Sequence, residues 1–229
     1  TFVREVDNLL VFDNDAWRRS GESLEGGYAA INDEMARRLG VLLSAGEVSK
    51  PPVPESVVDA SEIINTLKGG GITTVGYANS RLERPPRGLF GRRKTPPDEA
   101  EVVTRITTTV RRAVLGNLTL PANVTSTERA LVVVSGPPDF LNRKGVEDAR
   151  RWLEEETGTM EVRGGDYPVP DSEFVSALVV LAGVTDVPRI KELQQLGRDT
   201  QRNLRDRAAD RPERLRDLVW SGDGIDPLF

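Results

Sequence analysis

The 229-residue chain contains no cysteine and no histidine. The first absence removes disulfides and thiolate chemistry. The second removes Ser-His-Asp triads, histidine-ligated zinc and imidazole acid–base catalysis. Any chemistry must therefore use carboxylates, hydroxyls, amides or cations. No apolar run approaches 18 residues, so nothing in the sequence reads as a membrane-spanning helix. No signal-peptide pattern is present, and Asn117-Leu-Thr and Asn123-Val-Thr read as chance matches to the glycosylation pattern. A glycine-rich phosphate-binding signature is missing as well. Gly69-Gly-Gly-Ile-Thr-Thr has no following Lys-Ser/Thr and precedes an apolar strand pattern, so it reads as a structural break. Lys and Arg total 31 against 36 Asp and Glu, a net charge of −5. That balance favours solubility and argues against bulk nucleic-acid binding.

Residues 9–13, Leu-Leu-Val-Phe-Asp, form an apolar run closed by turn formers, the pattern of a buried parallel-sheet strand. Leu24, Tyr28, Ile31, Met35, Leu39, Leu42 and Leu43 recur at helical spacing and predict the apolar face of a long helix over 23–46. Lys50-Pro-Pro-Val-Pro cannot be helical. A short helix is expected over 59–68, with Asp59 or Ser61 as its cap. Further strands are expected at 72–78, 129–135, 160–163 and 174–183. Helices are expected from Pro97 to 115, over 142–157, and from Pro188 to 206. Residues 81–97 read as an exposed loop rich in Arg, Pro and Gly, with contact to an anionic surface or acidic partner as its functional reading. Beyond 206 an Arg- and Asp-rich stretch reads as a flexible tail, closing on Gly224-Ile-Asp-Pro-Leu-Phe229 in the manner of a short docking motif.

Three segments then carry a resemblance. Phe12-Asp13-Asn14-Asp15-Ala16-Trp17 follows the first strand, where tubulins place an aspartate-asparagine-acid-alanine pattern. Tyr28 and Asn32 lie four apart near the start of the long helix, as a tyrosine and an asparagine do in tubulins. Val57-Val58-Asp59-Ala60-Ser61-Glu62 resembles the synergy loop of FtsZ and α-tubulin. In this order, with a four-stranded unit behind them, the segments identify the chain as similar to the carboxy-terminal part of a tubulin/FtsZ-superfamily subunit of the archaeal CetZ group.

The resemblance implies an α/β to α+β architecture. The end of a Rossmann-like GTPase domain (1–22) leads into a long central helix (23–46), then the synergy loop and a short helix (47–69). A four-stranded sheet with packed helices (70–206) and the tail (207–229) follow. It implies GTP or GDP with Mg2+ as cofactor, self-association into head-to-tail filaments, partners through the tail, a cytoplasmic location and a role in archaeal cell shape. Neither nucleic acid nor a transmembrane segment is expected, and peripheral membrane contact is left open. Asn14, Tyr28 and Asn32 would contact the nucleotide, while Asp59 and Glu62 would serve hydrolysis in trans. The chain opens on Thr1 with what reads as the end of a helix, so an amino-terminal part is expected to be missing, and with it the phosphate-binding loops. Val57 stands where the family has asparagine, and residues 14–28 are a shorter connection than in FtsZ. The alternative is a non-catalytic scaffold or partner-binding module.

The residues also speak for themselves. A helical Tyr28/Asn32 pair shares one face, offering a ring to stack on a purine and an amide to read guanine. The bland alternative is a core tyrosine and a surface asparagine. Asp59 and Glu62, one turn apart, can point together to polarise a water, or can simply cap a helix and favour its dipole.

Overall fold

The computed structural model describes residues 5–17, 24–47, 58–83 and 97–220, with side chains described over 5–17, 27–47, 58–83 and 97–208. By contacts the chain divides at Pro188 into two units.

The first unit is a three-layer sandwich. Its sheet runs β1 (Leu9–Leu10), β2 (Ile72–Arg81), β5 (Phe174–Ala182), β3 (Arg129–Gly136), β4 (Val162–Pro168) in spatial order. The two outer pairings are parallel and the two inner ones antiparallel. The inner strands are Val- and Leu-rich without alternation, as expected where helices cover both faces. On one face lie α2 (Leu24–Gly46) and α3 (Ala60–Leu67). Their core contains Leu42, Ala45 and Val58 against Val75, Leu131, Val133, Leu178 and Val180, with Ile63 and Leu67 packed on it. On the other face lie α4 (Glu99–Leu115) and α5 (Arg143–Thr157), carrying buried Val102, Ile106, Val110, Val146, Ala149 and Leu153. A one-turn helix, α1 (Asn14–Trp17), follows β1.

Several expectations shift. The first strand is two residues long and joins the same sheet as the rest, so the sheet has five strands where four were expected. β2 continues three residues past Ala78 because its whole length pairs with β5. β4 runs through Gly164-Gly-Asp to Pro168, where glycines hid the strand, because it pairs with β3 along its full length. Asp59 rather than Ser61 caps α3: its side chain accepts the Glu62 N–H. Gly70 and Gly71 have φ of 78° and 87°, which makes the break after α3 a requirement for glycine.

The second unit is a helix, α6 (Pro188–Trp220), which runs past the expected end at 206. The stretch read as a loose tail therefore begins as helix. The expected docking motif at 224–229 lies outside the described residues.

Candidate functional site

The turn bearing Asn14 is built from its neighbours. Asp13 N–H donates to the Thr119 carbonyl at 2.7 Å, and Asp13 Oδ1 accepts from the Asp15 N–H. Trp17 Nε1 donates to the Leu118 carbonyl at 3.0 Å. The 118–120 segment is in turn fixed to β2: Val75 N–H donates to Thr119 Oγ1, and Thr74 Oγ1 donates to the Leu120 carbonyl, all within the buried interior. Asn14 itself is exposed at the head of α1.

Tyr28 and Asn32 are both exposed on the amino-terminal half of α2. The expected apolar face of this helix is only partly buried. Ile31 and Leu42 are buried, but Tyr28 is 49% exposed, Leu39 37% and Leu43 63%. Tyr28 is thus no core aromatic in this chain, and its ring is accessible with the Asn32 amide one turn on.

What takes the expected place in the core is a cation that the sequence reading missed. Arg38 is 3% exposed. Its guanidinium lies 4.4 Å from the Trp17 ring and 5.7 Å from the Tyr77 ring, and it donates to the Glu34 carboxylate. Arg38 thereby ties α1, α2 and β2 together behind Asn14. Its signal was faint: an arginine at a position in phase with Ile31, Leu42 and Ala45.

At the far end of α2 lies the second group. Asp59 Oδ1 accepts the Glu62 N–H at 2.9 Å, so the two acids share the first turn of α3. Glu62 is half-buried. Burial first, and the Asp59 charge second, push its pKa above the ordinary carboxylate value, while Arg163 and Arg150 pull it down. The rear of α3 is clamped. Arg129 Nε donates to the Thr66 carbonyl, Arg129 Nη2 to the Gly70 carbonyl, and Asn8 Nδ2 to the Leu67 carbonyl. Val57 and most of the basic 81–94 segment lie outside the described residues.

The five predicted residues therefore form two groups. Gly46, at the end of α2, packs against Ile63 and Ala60 of α3. From Tyr28 to Gly46 is 18 residues of one helix, or about 27 Å at 1.5 Å per residue. Among the described residues, Tyr28 and Glu62 therefore stand toward opposite ends of α2.

This sheet, flanked by a long helix and a short acid-capped helix, defines a tubulin-like carboxy-terminal domain. A family model described as "Tubulin-like CetZ, C-terminal domain" matches residues 21–199, and the chain belongs to that family. It is 59% identical over 235 residues to tubulin-like protein CetZ3 of Haloferax volcanii, covering 100% of this chain and 60% of that protein. It is 57% identical to CetZ1 of the same organism, over 89% of this chain and 54% of that one. The chain thus spans little more than half the length of these relatives. Among solved structures, the GDP-bound monomer of CetZ1 from Haloferax volcanii superposes with a TM-score of 0.73 at 54% identity, over 88% of this chain and 53% of that one. The GTPγS-bound protofilament of CetZ2 gives 0.74 at 42% identity, over 90% and 55%. An FtsZ from M. jannaschii shares the fold at 16% identity, TM-score 0.59, over 80% and 47%.

Proposed function

We propose that this chain is the assembly part of a filament-forming GTPase, offering a base-recognition face at one end and a hydrolytic carboxylate at the other. The observation that carries this reading is the separation along α2. Two half-sites at opposite ends of α2, whose Tyr28–Gly46 stretch alone rises about 27 Å, do not meet on one nucleotide, but head-to-tail stacking brings the rear of one subunit onto the front of the next. The relatives described as GDP-bound and as a GTPγS-bound protofilament support guanine nucleotide and polymerisation alike.

In this reading Tyr28 stacks on the base, Asn32 reads its edge and Asn14 contacts the sugar or base. Hydrolysis of the terminal phosphate needs an in-line, polarised water. Glu62, with its raised pKa and a clamped helix beneath it, is the group to orient that water, and Asp59 fixes its direction. Mg2+ would arrive with the nucleotide phosphates. A cytoplasmic cytoskeletal role in cell shape, and tail-borne partners, belong to the same proposal. Val57 favours the rival reading, a scaffold without turnover.

The test uses the full-length protein. Glu62→Ala should leave nucleotide binding and filament formation unchanged and lower GTP turnover by about 100-fold or more, the usual weight of a general base. Turnover at the parental rate would remove Glu62 from the mechanism and leave the scaffold reading.

A further inference from the structure

Resting on that reading, we propose that Arg163 is a positioning residue for Glu62, a cation on the sheet's edge beside α3 whose charge acts on that carboxylate. The strand register establishes the placement. Arg163 pairs with Leu131 of β3, and cross-strand partners project to the same face. Leu131 belongs to the core on which Ile63 and Leu67 of α3 are packed. Gly164, the next residue, faces the opposite way, toward Val132 of β3 and Val146 of α5. Arg163 therefore lies on the α3 side of the sheet, on the edge strand, immediately outboard of α3.

Its local partners leave it free to act on α3. Arg163 Nη1 is buried and has no hydrogen-bond partner. Its ion pair with Glu161 is long, at 4.0 Å, and Glu161 is exposed. Arg163 is only partly buried, and a partly desolvated guanidinium acts on a neighbouring acid more strongly than a fully solvated one. Glu62 feels Arg163 ahead of Arg150, and both oppose the effects of burial and of Asp59. The charges around α3 also include Lys68 at its C-terminal cap, Asp166 of β4 beside Val58, Arg150 of α5, which pairs with Glu154, Glu47 beyond the end of α2, and Arg129, committed to the opposite end of α3.

The consequence is directional. A water-orienting carboxylate must be ionised, so turnover falls as the pH drops through its pKa. Removing the Arg163 charge leaves burial and Asp59 less opposed and moves that fall to higher pH.

In the full-length protein, Arg163→Gln should shift the acid limb of the kcat profile upward and cut turnover several-fold on that limb. Activity should recover toward the parental level as the pH rises, at unchanged nucleotide affinity and filament yield. Arg163→Lys, which keeps the charge, should return the limb most of the way. A limb that stays in place in Arg163→Gln, or a uniform loss that Arg163→Lys does not rescue, overturns the inference. Glu62→Gln serves as the control for the reading beneath it. Full turnover in that variant would fail the parent reading, whereas a dead Glu62→Gln with an unmoved Arg163→Gln limb would fail this inference alone.

Discussion

Asp59 begins α3 by accepting the Glu62 N–H, and the same carboxylate repels the charge on Glu62. That repulsion adds to burial, so the folded chain holds a proton on Glu62 more tightly than the unfolded chain does. The stability linked to such a group is present below the unfolded-state pKa, near the ordinary 4.5, and is lost as the pH rises through the higher folded value. At neutral pH the ionised Glu62 therefore works against the fold. Glu62→Gln should raise the melting temperature at pH 7, and the advantage should shrink as the pH falls below about 4. Thermal unfolding followed by circular dichroism at both pH values decides the matter; a parental or lower melting temperature at pH 7 would mean that the charge is fully compensated. A carboxylate kept where it destabilises is the pattern of a site tuned for chemistry rather than for stability.

At the scale of elements, the seat of α4 on the sheet is set by Gly76. A Cβ there would lie 2.0 Å from the Ala113 carbonyl oxygen and 2.8 Å from its carbon, a backbone that cannot swing aside. Gly76→Val should lift α4 from β2 and cost about 2–3 kcal/mol, read as a lower midpoint in urea unfolding; an unshifted midpoint would mean that α4 is not seated by this contact. None of this was visible in Ile72-Thr-Thr-Val-Gly-Tyr, where the glycine only weakened a strand pattern. What was legible followed periodicity: the long α2, the short α3 with its acid cap, and the apolar β3 and β5. What was not legible depended on partners distant in sequence. Gly164 and Gly165 form strand because β3 offers a ladder beside them. Arg38 is buried because Trp17, Tyr77 and Glu34 converge on it. The far end of α6 looked disordered by composition, yet Arg, Ala, Glu and Leu are good helix formers. The candidate site residues and their division into two groups were read from the order of the motifs along the chain, whereas the placement of the groups at opposite ends of α2 needed the fold.

At the scale of the molecule, that division makes the proposed reaction a property of the contact between subunits. Tyr28 and Asn32 face outward near one end of α2, while Asp59 and Glu62 stand beyond the other. A heterologous, head-to-tail contact uses two different patches of the same chain, so each patch can be disabled in a different population. Full-length subunits carrying Glu62→Ala would keep a working nucleotide face. Subunits carrying Asn32→Ala would keep Glu62 but read the base poorly. Alone, the first should form filaments but turn over slowly, and the second should polymerise weakly. In a 1:1 mixture, random stacking places a sound nucleotide face against a sound Glu62 at about a quarter of the contacts. GTP turnover should therefore rise well above the average of the two separate preparations, and only at protein concentrations where filaments pellet. A mixture that merely averages the two rates, with both proteins found in the same filaments, would place the nucleotide and its carboxylate within one subunit and refute the trans arrangement.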